Sequence, residues 1–143
     1  MMAFIHNVIS SLLKVERRRY KRIPCNIKAH FFISSNARQH RGNATITDIT
    51  LHGLCCDELH FFHENKELKL KRNSKINIYF TLPKEDGSSH NFELVGRIKS
   101  FIVKDSHGYT QRIGIEIQSM RSKDKKIFRQ CIAFLDKSSK THS

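Results

Sequence analysis

The sequence between residues 16 and 53 opens with ERRRYKR at positions 16–22 and closes with DITLHG at positions 48–53. The opening segment is a cluster of guanidinium groups just before Pro24, and a proline biases its predecessor towards an extended backbone. Apolar and polar residues then alternate from Pro24 to Ser34, which is the period of a strand with one buried face. The closing segment offers a carboxylate, a hydroxyl and a glycine in a tight turn. These features predict a pocket for a small anion that carries bases.

The rest of the chain extends this β-framework. Alternation of apolar and polar residues predicts about six strands, and Gly53 is expected to take a positive φ in the turn before the third. The polar run at 34–43 is predicted to be a turn, and residues 60–72 suit a loop. The predicted strand segments are 24–34, 44–49, 53–57, 75–82, 92–103 and 109–117.

Two amphipathic helices flank the strands. Apolar positions in residues 3–15 share one helical stripe, so we predict an N-terminal helix that docks on the barrel, a dimer mate, a partner or a membrane surface. A C-terminal helix is predicted with Ser122 as its cap, Asp124 in its first turn and an apolar face from Ile127 to Leu135. A helix that closes one end of a small barrel fits this order.

The composition favours one small domain with an anionic partner. The 143 residues carry a formal charge of +13, which does not by itself distinguish a nucleotide, a nucleic acid and a membrane surface, and which also serves solubility. Four cysteines without a Cys-x-x-Cys pair, and an N-terminus without signal-peptide features, predict free thiols in a cytoplasmic protein. No apolar run reaches the roughly 18 residues that a membrane-spanning helix needs.

No residue set indicates catalysis. The chain lacks a convincing nucleophile, acid–base pair or glycine-rich phosphate loop, so we predict that it is not an enzyme and uses no cofactor. His60 and His63 form a close pair, but the two Phe between them indicate packing and no third ligand is near, so no metal site is predicted. Cys55 and Cys56 point to opposite faces of a strand and are predicted to be simple thiols.

The arginine cluster and the turn together suit a guanine nucleotide. A guanidinium fork matches the two free oxygens of a phosphodiester, and it also bonds O6 and N7 of guanine. Asp48 can accept from the N1–H and the amine of guanine, Thr50 can add a hydroxyl contact, and Gly53 lets the base approach closely. Taken separately, the cluster also fits a solvated charge run and the turn fits an Asx-type turn. Their joint order around one strand favours a binding site.

This pattern resembles the PilZ domain family, whose members bind the bacterial second messenger cyclic di-GMP. Its two motifs, Arg-x-x-x-Arg and Asp/Asn-x-Ser-x-x-Gly, both have counterparts here, and the segments 96–98 and 112–117 are also similar. Thr50 stands where the family most often has serine; the hydroxyl is retained, and the added methyl stiffens χ1 and crowds the pocket. The residues that the resemblance assigns to ligand binding are Arg18, Arg19, Arg22, Asp48, Thr50 and Gly53.

The resemblance implies a mainly β fold, a six-stranded antiparallel barrel with a C-terminal helix, over about residues 16–137. Residues 1–15 are then the N-terminal helix and residues 138–143 a flexible tail. It also implies a cyclic di-GMP receptor that acts as a signalling adaptor for an unidentified protein partner, as a monomer or homodimer. The arginine segment would fold over the ligand, and the N-terminal helix would take part in the readout.

Two alternatives stay open. One is a basic barrel that binds nucleic acid without sequence preference, which needs exposed aromatic rings among Lys and Arg on a strand face. Because most Phe alternate inward, we do not expect a nucleic-acid partner. The other is a PilZ-like scaffold that acts through protein contacts and does not bind the nucleotide.

Overall fold

The computed structural model describes residues 21–35, 38–62, 71–103 and 110–141. Within these residues, six strands form one closed antiparallel barrel and a helix follows them, which confirms the predicted fold. The predicted N-terminal helix lies outside the described residues, and so do Arg18 and Arg19 of the segment that follows it. The elements are β1 (Ile23–Ser35), β2 (Arg38–Ile49), β3 (Gly53–Phe61), β4 (Lys75–Pro83), β5 (Ser89–Val103), β6 (Thr110–Met120) and α1 (Ser122–Thr141).

The strands pair in the order β1-β2-β3-β6-β5-β4, and β4 returns to β1 to close the barrel. β1 pairs with β2 from Ile23↔Ile49 to Ser35↔Arg38, and it pairs with β4 through the segment Ala29 to Ile33. A closed barrel leaves no strand edge open for pairing with another chain.

The core consists of the inward side chains of all six strands. Along β4, buried residues alternate strictly with exposed or half-buried ones, as the sequence predicts. β1 follows the same rule, with Ala29, Phe31 and Ile33 buried and Lys28 and His30 exposed. The buried strand residues include Ile46, Ile49, Leu54, Cys56, Ile76, Ile78, Phe80, Leu82, Phe92, Leu94, Ile98, Ile113 and Ile115.

Helix α1 packs against the barrel through a line of aromatic rings. Phe128 is buried and meets Phe92 of β5 edge-on, with ring centroids 5.4 Å apart. Phe92 in turn stacks on Phe80 of β4 at 5.6 Å. Such ring pairs contribute about 0.5–1.5 kcal/mol each beyond the burial of apolar area. Cys131 and Ile132 complete the buried face of the helix, as predicted.

A polar contact ties the first turn of α1 to β5. His90 Nε2 lies 2.9 Å from a carboxylate oxygen of Asp124, whose side chain is buried. The carbonyl of Arg121 accepts from the backbone N–H groups of Asp124 and Lys125. Arg121 therefore holds the cap position that the sequence assigns to Ser122, because the cap carbonyl is the one that accepts the first bond of the helix.

β2 is longer than predicted. It begins at Arg38, so most of the run 34–43 is strand and not turn. Arg41 and Asn43 face outward from this part of the strand, and Gly42 is buried. A Cβ at Gly42 would collide with the His60 carbonyl oxygen. The glycine in this polar run is therefore explained by the close approach of β2 and β3, and not by a turn.

Two further elements extend beyond their predicted bounds. β3 continues to Phe61, whose ring packs edge-on against Phe31 at 5.3 Å and so belongs to the barrel wall. Helix α1 runs to Thr141, into the residues 138–143 that the sequence assigns to a tail.

The contact between His90 and Asp124 can be tested by its effect on stability. Asp124→Ala removes a buried acceptor and leaves His90 without this partner, so we expect the free energy of unfolding to fall by about 1–3 kcal/mol. Lys125→Ala, at an exposed position one residue further on, should change it by less than about 0.5 kcal/mol. Urea unfolding followed by circular dichroism measures both, and equal effects would contradict a specific role for Asp124.

Candidate functional site

The start of β1 and the turn between β2 and β3 lie side by side at one end of the barrel. Ile23 pairs with Ile49 and Pro24 pairs with Asp48. Arg22 directly precedes Ile23 and Thr50 directly follows Ile49, so both flank this pair. Arg22 is exposed, and within the described part of the chain no carboxylate forms an ion pair with it.

The structure therefore brings Arg22 to the turn that holds Asp48, Thr50 and Gly53. Of the six residues predicted for the site, these four are described, and Arg18 and Arg19 are outside the described ranges. Pairing of β1 with β2 causes this arrangement, because antiparallel neighbours bring the beginning of one strand to the end of the next.

Thr50 organises the turn. Its hydroxyl oxygen accepts from the backbone N–H of Gly53 at 2.9 Å and from that of His52 at 3.0 Å. The Thr50 backbone N–H also donates to the Gly53 carbonyl at 2.9 Å. A hydroxyl has two acceptor lone pairs, and both are used here, while its O–H donates to the Gly53 carbonyl at 3.4 Å. Thr50 thus shapes the loop with its side chain.

Gly53 is required for space and not for backbone conformation. The predicted positive φ is wrong: among the described glycines, it is Gly87 that has such an angle, at +89°. A Cβ on Gly53 would lie 2.8 Å from the carbonyl oxygen of Ile115 in the neighbouring β6. Because β3 begins at Gly53 and packs closely on β6, the chain reverses through the Thr50 hydrogen bonds instead.

Asp48 is a half-buried carboxylate among thiols. It pairs with Pro24 on one side and with Cys55 on the other. Burial, helped by the negative charge of Asp48, raises the pKa of Cys25 to about 11. Burial also raises the pKa of Cys55. These thiols stay protonated near neutral pH and are poor nucleophiles, and all four cysteines are free, as predicted.

A second carboxylate, on the neighbouring strand β3, is already paired. Asp57 on β3 accepts from Arg112 on β6, at 2.8 Å from Nε and 2.9 Å from Nη2. The hydrogen bond and charge of Asp57 raise the pKa of Arg112. A two-pronged bond of this kind holds the guanidinium in one orientation, so Arg112 links two strands of the barrel wall.

The residues just before β1 also contact the helix. Lys21 Nζ lies 3.3 Å from a carboxylate oxygen of Asp136 in α1. The lysine is 58% exposed, so this ion pair adds little stability, but it places the start of β1 beside the C-terminal half of α1. Sequence reasoning missed this contact, because two residues so far apart in the chain leave no local pattern.

The described residues contain neither a metal cluster nor a helix that could span a membrane. In the described ranges, no three His, Cys, Asp or Glu side chains are grouped so that they could hold a metal ion, and His63 of the predicted histidine pair lies outside them. The same part of the chain contains no helix with the length and apolarity needed to cross a bilayer.

The chain matches the family model described as PilZ domain over residues 16–134. Its fold is similar to that of the PilZ domain with c-di-GMP of YcgR from Escherichia coli, with a TM-score of 0.59 and 15% identity over 88% of this chain and 96% of that one. It is also similar to the Bacillus subtilis inhibitor of motility, MotI/DgrA, with a TM-score of 0.56 and 13% identity over 82% of this chain. No curated protein matches the sequence.

The two structural likenesses show a shared fold. The chain spans 50% of the length of the Bacillus subtilis protein and 96% of the Escherichia coli domain. The family match covers the arginine segment, the turn, all six strands and most of α1. On this match and this barrel, the chain belongs to the PilZ domain family.

Proposed function

We propose that this chain is a receptor for cyclic di-GMP that acts by binding and not by catalysis, and that it works as a signalling adaptor. The observation that carries the proposal is the register of β1 and β2, in which Ile23 pairs with Ile49 and Pro24 with Asp48, so that Arg22 precedes β1 at the end of β2 that leads into the Thr50 turn. Family membership supports it, as does the similar Escherichia coli domain, which was solved with c-di-GMP.

Arg22 binds the phosphates and the guanine edge in this proposal. Its guanidinium is exposed and has no carboxylate partner among the described residues, so its donors are available to a ligand. Arg18 and Arg19 precede it closely in the chain and supply further guanidinium groups. A cyclic dinucleotide presents two phosphodiesters and two guanine bases, so several guanidinium groups can bind one ligand together.

The turn supplies the opposite wall. Asp48 accepts from the N1–H and amine of one guanine, and its pairing with Pro24 and Cys55 holds its backbone near the end of β2. Thr50 contributes through the shape of the loop, because its hydroxyl oxygen already accepts two backbone N–H groups. Because Gly53 has no side chain, β3 can pack closely against β6, and the turn stays close to the ends of these strands.

An adaptor must convert ligand binding into a change that a protein partner can read. The arginine segment leads directly into Lys21, which contacts Asp136 of α1. A segment that folds over the ligand changes the position of the residues before β1, and hence this contact with the helix. The readout surface in this proposal comprises α1 and the chain before β1.

The first prediction concerns Arg22. Arg22→Ala should weaken cyclic di-GMP binding by roughly ten- to 100-fold, because one charge-assisted pair is worth about 1.5–3 kcal/mol. Arg41→Ala is the matched control, because Arg41 is an exposed arginine near the other end of β2. This substitution removes the same charge as Arg22→Ala. Calorimetric titration with cyclic di-GMP measures both variants, with GTP as a ligand control.

Two outcomes would count against the receptor. Absence of cyclic di-GMP binding by the unaltered chain would leave a PilZ scaffold that acts through protein contacts alone. Equal losses in Arg22→Ala and Arg41→Ala would indicate attraction by net charge and not a site at the end of the barrel.

The second prediction separates the shape of the turn from direct contact at Thr50. Thr50→Val keeps the volume and loses the acceptor, so we expect unfolding free energy to fall by about 1–3 kcal/mol as two backbone N–H groups lose their partner. Thr50→Ser keeps the hydroxyl and should preserve both stability and ligand affinity. Chemical unfolding and calorimetry on the same preparations give the two readouts. A Thr50→Val variant of unchanged stability that no longer binds would show that the hydroxyl contacts the ligand directly.

A further inference from the structure

An open groove runs over the outer face of β1, β4 and β5 and reaches the start of α1. Its volume is about 580 Å³. Tyr79 of β4 lies in its floor, between His30 of β1 and Glu93 of β5, with which it is paired in register. Lys28 and Lys123 lie among the lining residues, on β1 and α1 respectively. The groove is therefore framed by cations and has an aromatic floor.

The acidic residue in the floor is already balanced. Glu93 accepts a hydrogen bond from the Tyr79 hydroxyl at 3.1 Å, and Arg121 Nη2 lies 3.6 Å from its other oxygen. The second acid of the lining, Asp124, is buried and bonded to His90. Neither carboxylate presents an unpaired negative charge to a ligand. The exposed cations therefore make the groove positively charged.

A pair of stacked rings extends the groove along β1. Phe32 lies on the outer face and stacks with Tyr79, with centroids 5.7 Å apart and ring planes 27° apart. Both rings are half-buried, and the exposed Arg41 of β2 is the register partner of Phe32. Most Phe do point inward, but on this face two half-buried rings point outward beside cations, and aromatic rings next to cations are typical of a surface that binds single-stranded nucleic acid.

The cations retain donors for a ligand. Lys28 donates to the Thr45 hydroxyl at 3.1 Å, which uses one of the three donors of its ammonium group. Lys123 is exposed, and within the described ranges no acid pairs with it. Arg121 is 62% exposed and contacts Glu93 through one nitrogen only. Cations on β1 and at the start of α1 can therefore contact phosphates of a strand that lies in the groove.

We propose that this groove is a second binding site, which takes single-stranded nucleic acid. Bases stack on the Phe32–Tyr79 pair, and backbone phosphates contact Lys28, Arg121 and Lys123. A single strand is required because bases within a duplex cannot reach rings on a sheet. An acidic peptide would use the cations but gain nothing from the paired rings.

The groove is separate from the proposed cyclic di-GMP site. Lys28 is six positions beyond Arg22 on β1, which at about 3.3 Å per residue places it roughly 20 Å away. The proposal therefore does not rest on the receptor function, and the two can fail independently.

The test uses the full chain and a fluorescent single-stranded oligonucleotide of about 15 nucleotides, near the upper site size of a single barrel. Fluorescence anisotropy gives the affinity at several salt concentrations. Tyr79→Ala should weaken binding roughly tenfold through loss of stacking, whereas Tyr79→Phe should stay within about twofold, because it keeps the ring and loses only the hydroxyl. Lys123→Gln should lower the slope of log affinity against log salt by about 0.7.

Two controls define the site. Arg22→Ala should leave oligonucleotide binding within about twofold of the unaltered chain, because Arg22 lies outside the groove. Thermal unfolding of Tyr79→Ala and Phe32→Ala establishes that each variant is folded, and Lys123→Gln tests the groove at an exposed position where folding is not at stake.

Loss in Tyr79→Ala together with retention in Tyr79→Phe and Arg22→Ala would support the proposal. Absence of binding at low salt would overturn it, and so would binding that is insensitive to Tyr79, Phe32 and Lys123. Equal competition by polyglutamate would also overturn it, since that result assigns the groove to an acidic protein segment.

Discussion

The antiparallel pairing of β1 with β2 is the contact on which both the barrel and its candidate site depend. β1 lies between β2 and β4, so its pairing on both sides closes the barrel. The same register sets Ile23 against Ile49 and brings Arg22 to the end of the barrel that holds the Thr50 turn. A slip by one residue would exchange the inward and outward faces of β1, which would bury its polar side chains and expose its core residues. Barrel stability and site geometry therefore select one register.

Period-2 alternation predicted the fold well because most strands have one buried and one exposed face. β4 shows this clearly, since the side chains of Ile76, Ile78 and Phe80 fill the core and the residues between them face outward. The first half of β2 could not be predicted in this way. Its inward position at Gly42 has no side chain, because Phe31 and the His60 carbonyl occupy the space. Without a large apolar residue there, the segment has the composition of a turn.

The candidate site was predictable in its residue types and less so in their roles. Arg22 and Asp48 are placed at one end of the barrel by strand order alone. The spatial reason for Gly53 could not be predicted, because it depends on Ile115, which approaches from a strand distant in sequence. Thr50 lies in a turn, as predicted, but its two bonds to backbone N–H groups follow from the path of that turn, which alternation does not specify.

Whether each arginine is paired with an acid indicates its role better than the total charge of the chain does. Arg112 is fixed by two bonds to Asp57, and Arg97 donates to the carbonyl of Asn73. Such pairs join neighbouring segments of the wall and leave fewer donors for a ligand.

Arg22, in contrast, has no acidic partner within the described residues and stands at a strand end beside the carboxylate of Asp48. An exposed guanidinium that forms no ion pair keeps its donors for a phosphate. The formal charge of +13 thus divides into cations that hold the barrel together and cations that remain available for ligands. Pairing in three dimensions separates the two groups, and the sequence cannot, since the acid that neutralises an arginine lies on a neighbouring strand and not at a fixed distance along the chain.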